Sequence, residues 1–128
     1  MYERKTPEDL DCGLVITMKI LSGKWKPCII DSINKGFKRP SDIHKILSEA
    51  SPRVLNMQLS ELQFHGIVYK VSFDQIPLRV EYNLTRLGKS LLPVIAALDR
   101  WGINHKGDIS FDGNREELSE LSEQSSMQ

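Results

Sequence analysis

Arg53, Asn56, Met57 and Ser60 lie three, four and seven residues apart, the spacing that gathers side chains on one side of a helix. An arginine can hold guanine through two hydrogen bonds and an asparagine can hold adenine the same way, each worth about 1–3 kcal/mol of discrimination between bases. None of the four is acidic, and Ser51 stands just ahead of them with a further hydroxyl. The same face also fits an ordinary amphipathic helix whose polar side is merely solvated. Lys24, Lys38, Arg39 and Arg79 form a second group, of the type that contacts phosphates and so positions a protein without reading sequence. For each of these the plain alternative is a solvated surface charge.

The element that must carry the first group is a helix over Ser51–His65. Ser51 caps it by accepting from the free N–H groups of the first turn, and Pro52 takes the first helical position, where a missing N–H costs nothing. Leu55, Leu59 and Leu62 make its buried stripe, and Gly66 ends it with a left-handed cap. A short helix precedes it. Ser41 is expected to cap that helix, which runs from Asp42 to about Ser48 with Ile43, Ile46 and Leu47 apolar. Two helices joined by the brief Glu49-Ala50 turn suggest helix-turn-helix geometry.

Upstream, Leu14, Val15, Met18 and Leu21 fit a first helix from Cys12, with Asp11 as its expected cap. Ser22-Gly23 breaks it. A second helix, opened by Trp25 and Pro27, runs to about Lys35 on Ile29, Ile30 and Ile33 and stops at Gly36. Downstream the period changes. Ile67–Phe73 and Arg79–Leu84 read as two strands of a hairpin, with Val80, Tyr82 and Leu84 on one face and a proline-bearing loop over Asp74–Leu78. Thr85 is then expected to cap one long helix striped by Leu87, Leu91, Val94, Ile95, Leu98 and Trp101, bent where Pro93 removes a hydrogen bond. This stripe exceeds what five short partners need. A second subunit is therefore expected to cover Leu91, Ile95, Leu98 and Trp101 together with Leu14 and Met18 of the first helix. The alternative is a last helix folded back on its own chain.

At 128 residues the chain is one domain, over 12–107, with a polar arm over 1–11 and an acidic tail over 108–128 in which 115–121 can form a short helix. Residues 12–107 hold fourteen lysines and arginines against seven carboxylates, a net of +7, whereas the tail carries −5 and the arm −2. A basic body permits a polyanionic partner without requiring one. No apolar run approaches the ~20 residues of a membrane span. The charged N-terminus does not resemble a secretion signal, so a cytoplasmic location is the default expectation.

Cys12 and Cys28 are too few for a disulfide framework. Cys12 opens a helix, where the dipole favours thiolate, or is simply a small buried residue. Cys28, among Pro27, Ile29 and Ile30, is expected in the core. His44, His65 and His105 lack ligand-spaced partners, so no metal is expected; no cofactor or catalytic cluster is expected either.

Four segments together carry a family likeness. Leu21–Lys26 (LSGKWK), Ser51–Leu55 (SPRVL), Pro77–Thr85 (PLRVEYNLT) and the position of Cys12 resemble the HxlR-type transcriptional regulators, relatives of the MarR regulators. The resemblance covers about residues 12–104 and departs mildly at Gly13 and Ser22. It implies a mainly α (α+β) fold, a winged helix-turn-helix with a two-stranded wing and a long C-terminal dimerisation helix. It further implies a bacterial homodimer on a two-fold DNA operator, with the Ser51 helix in the major groove and the 74–79 wing on the backbone or minor groove. In several family members the cysteine matching Cys12 senses oxidants or electrophiles, so an oxidant or small-molecule effector is an expectation. The rival readings are a winged helix used only to bind protein and, more remotely, a small enzyme.

Overall fold

A computed structural model describes residues 10–111. Residues 1–9 of the expected arm over 1–11, most of the acidic tail and the helix over 115–121 lie outside the described residues. The chain divides into two compact units, one ending at Ile95 and one beginning at Ala96.

The first unit holds the core. It runs α1 (Gly13–Leu21), α2 (Lys26–Asn34), α3 (Pro40–Ile46), α4 (Pro52–Phe64), β1 (Val68–Phe73), β2 (Arg79–Leu84) and α5 (Arg86–Ser90), and includes the start of α6 (Leu92–His105). Ile29, Ile30 and Ile33 of α2, Ile43 of α3 and Leu55, Leu59 and Leu62 of α4 meet Val68, Tyr82 and Leu84 of the hairpin in one cluster. Each fully buried aliphatic side chain there contributes about 1.5–3 kcal/mol. This arrangement is the expected winged helix, with α1 to α4 backed by a two-stranded antiparallel sheet in which Val68 lies opposite Leu84 and Phe73 opposite Arg79.

Local chemistry sets the boundaries. Both α2 and α4 end in paired main-chain bonds of the Schellman type. Gly36 and Phe37 donate to Ile33 and Ser32, and Gly66 and Ile67 donate to Gln63 and Leu62, at 2.9–3.0 Å. The extended stretch after Gly36 is pinned to the wing where the Tyr82 N–H donates to the Lys38 carbonyl at 2.8 Å.

Three expectations about the elements need correction. Asp11 does not cap α1; Cys12 is the N-cap residue and supplies no side-chain bond. Ser41 does not cap α3, because Pro40 already occupies the first helical position behind Arg39, its fixed φ suiting that site. The long last helix is two helices, α5 and α6, separated at Leu91. Pro93 has no N–H for the Lys89 carbonyl and its ring crowds that carbonyl, so the helix restarts rather than bends.

The second unit contains the remainder of α6 and a 3-10 turn, Lys106–Asp108. Within it the Trp101 and His105 rings stack at 4.8 Å, and His105 Nδ1 lies 2.9 Å from the Trp101 carbonyl.

Candidate nucleic-acid interface

The Ser51 hydroxyl accepts the Val54 N–H at 3.1 Å and fixes the first turn of α4. Such a cap stabilises a helix by about 1 kcal/mol. Ser51, expected among the base-contacting residues, thus commits a lone pair to the helix and keeps only its O–H for a partner. Beyond it, Arg53, Asn56, Met57 and Ser60 are all exposed, while Leu55, Gln58, Leu59 and Leu62 are buried on the other side. The face expected to read bases is therefore open along the helix.

The basic group is less uniform. Arg39 and Arg79 line one groove of about 300 Å³ between the start of α3 and the wing, with Ser41, Gln75 and Pro77. Two guanidinium-bearing side chains from separate elements make this groove suited to a phosphodiester. Arg79 is also tied down. Its guanidinium lies 3.9 Å from the Phe73 ring centre, and its Nε is 3.7 Å from the Glu81 carboxylate. Lys38 is half-buried. Lys24 sits apart from the groove, its ammonium 4.9 Å from the centre of the Trp25 ring.

Two polar contacts that tie the start of α2 to α4 were not anticipated from the sequence. Lys26, only 2% exposed, forms an ion pair with Glu61, and the Trp25 N–H donates to Gln58 Oε1 at 3.0 Å. A signal was present. Lys26, Ile29, Ile30 and Ile33 share one helical stripe, as do Leu55, Gln58, Leu59 and Leu62; a polar residue within each stripe requires a buried partner.

Cys12 is half-buried at the head of α1. Cys28, expected in the core, is exposed. It lies on the side of α2 opposite the Lys26–Ile33 stripe, so its apolar neighbours in sequence are not its neighbours in space. Leu14 and Met18 are exposed in the first unit, and Leu98 and Trp101 in the second. Leu91 is half-buried, and Ile95, expected on a subunit interface, is 7% exposed and belongs to the chain's own core. Among the described residues no group of His, Cys, Asp or Glu could hold a metal, and no helix is long and apolar enough to cross a membrane.

Known proteins share this architecture. The family model of the HxlR-like helix-turn-helix matches residues 20–109. The HTH-type transcriptional regulator YkvN of Bacillus subtilis is 35% identical over 91 residues, 71% of this chain and 77% of its own. Among solved structures, the redox regulator HypR in its reduced form superposes with a TM-score of 0.71 at 32% identity, over 74% of this chain and 94% of that one. The reduced form of the transcriptional regulator YodB from B. subtilis gives 0.61 at 27%, over 71% and 90%.

Proposed function

The chain belongs to the HxlR-like helix-turn-helix family of transcriptional regulators, and from that premise we propose that it reads a DNA operator as a homodimer through the outer face of α4. The observation that carries this reading is the division of α4 into a buried apolar side and an open side bearing Arg53, Asn56, Met57 and Ser60. A helix of about 10–12 Å diameter fits a major groove about 12 Å wide. Arg53 and Asn56 supply base-edge hydrogen bonds, and Met57 an apolar contact. Ser60 supplies a hydroxyl, as does the O–H of Ser51. Arg39 and Arg79 seat a backbone phosphate beside the wing, with Lys38 and Lys24 as further phosphate contacts.

Leu14 and Met18 in one unit, and Leu98 and Trp101 in the other, are large apolar side chains in solvent, which supports their burial by a second copy. Two copies related by a two-fold axis would address half-sites about 34–36 Å apart, or a multiple of that. Sedimentation equilibrium should return twice the chain mass; a monomer at tens of micromolar would remove the dimer from the account.

Similarity to the redox regulator HypR supports a thiol-responsive reading centred on Cys12, which stands at the head of α1. The test is a DNA titration of the wild type, Arg53→Ala and Cys12→Ser. Arg53→Ala should weaken binding to a duplex selected by the wild-type chain, with thermal stability unchanged. Diamide should alter the affinity of the wild type and not of Cys12→Ser. Arg53→Ala that binds as tightly as wild type would sink the base-reading role, and indifference to diamide would sink the thiol role.

A further inference from the structure

The apolar residues of α4 hold it to the core, yet apolar contact is non-directional and leaves rotation about the helix axis weakly specified. Directional bonds do specify it, and α4 receives two of them from one short segment. The Trp25 N–H meets Gln58 Oε1 at 3.0 Å, and the Lys26 ammonium pairs with Glu61. Gln58 and Glu61 are three residues apart, about 4.5 Å along the helix. One polar contact permits a pivot; two contacts separated along the axis fix both its rotation and its axial position.

The segment is shaped for this purpose. Gly23 has φ 138°, and a Cβ there would come within 3.2 Å of Lys26 Cδ and Cε and 3.3 Å of Gln58 Cδ. A side chain at Gly23 would thus crowd both contacts at once. Lys26 is 2% exposed although it carries a charge, while the Glu61 side chain is 47% exposed. Replacing a buried charge together with its partner by apolar groups is often neutral or stabilising, so stability alone does not account for a lysine there. Side chains that read base edges, by contrast, need placement within about 0.5 Å and 10–20°.

We propose that Gly23, Trp25 and Lys26 form a clamp, acting through Gln58 and Glu61, that sets the rotation of α4 and so the sequence specificity of the chain. The proposal rests on the DNA reading above and assigns Lys26 and Glu61 as positioning residues that do not touch DNA themselves.

The probes are a duplex selected from a random library by the wild-type chain and a scrambled duplex of the same composition. For wild type, Lys26→Met, Glu61→Leu and the double variant, the ratio of the two dissociation constants is measured across salt concentrations, with the thermal midpoint alongside. Each single variant should lose about tenfold in the ratio, and the double variant little more, because both remove one shared contact. The slope of affinity against salt should stay that of wild type, and Lys26→Met should keep or raise the thermal midpoint. If either single variant does not fold, the double variant, which leaves neither charge unpaired, carries the test. A ratio kept within twofold in folded variants overturns the clamp. So does a salt slope that falls by about one in Lys26→Met, which would make Lys26 a phosphate contact. A wild-type chain that distinguishes no duplex from scrambled DNA overturns the DNA reading and the clamp with it; a wild type that discriminates beside variants that discriminate equally overturns the clamp alone.

Discussion

Tyr82 is buried on the inner face of the wing, and desolvation raises its hydroxyl above the ordinary value of 10.0. The folded chain therefore holds the phenol proton more tightly than the unfolded chain does. Stability from this source is complete below the unfolded value and declines as pH rises through 10.0 toward the folded value. Urea midpoints measured from about pH 8 to about pH 11 should fall more steeply for wild type than for Tyr82→Phe. Equal slopes in the two proteins would show that the hydroxyl does not titrate differently on folding. Other single residues were visible in the sequence to different degrees. The open face of α4 follows from spacing alone, because a 3.6-residue period separates Arg53 and Asn56 from Leu55 and Leu59 without knowledge of any partner. Lys26 was obscured because its partner Glu61 is thirty-five positions away, and only the folded chain brings them together.

At the scale of elements, the joint between wing and α5 leaves no room for a side chain at Gly88. Thr85 donates to the Gly66 carbonyl at 2.6 Å and accepts from the Gly88 N–H at 3.0 Å, drawing Gly88 onto the wing strand. A Cβ on Gly88 would stand 2.1 Å from the Ile67 carbonyl oxygen, so the backbone itself must yield. Gly88→Ala should cost about 1–3 kcal/mol in chemical denaturation. Gly13→Ala is the contrast, since Gly13 lies in α1 with nothing within 4 Å of the added Cβ, and alanine there should be neutral or stabilising. Equal effects of the two substitutions would refute the tight joint. Element types were readable from period and caps, whereas several boundaries were not. Pro40 and Ser41 are both good residues at a helix start, and proline won the first helical position. Pro93 was expected to bend a helix and instead divides it, because α5 already closes at Leu91, whose N–H turns back to the Gly88 carbonyl at 3.1 Å.

For the whole molecule, the family was legible because Leu21–Lys26, Ser51–Leu55 and Pro77–Thr85 occur together in order, each weak alone. Oligomeric state is of another kind. It depends on surfaces that only a second copy would cover, and sequence spacing assigned Ile95 to such a surface when the chain's own core had taken it. Charge acts at this scale too. On the proposed reading, the +7 body over 12–107 would supply a sequence-independent attraction to DNA, to which the face of α4 would add discrimination. The most direct test is a fluorescence-anisotropy titration of wild type and Arg53→Ala against the selected duplex over a series of salt concentrations. Wild-type binding should be tight and weaken steeply and log-linearly with salt, and Arg53→Ala should be about five- to a hundredfold weaker on the selected duplex yet unchanged on scrambled DNA. Binding that ignores both salt and sequence, or no binding to either duplex, would contradict the DNA reading.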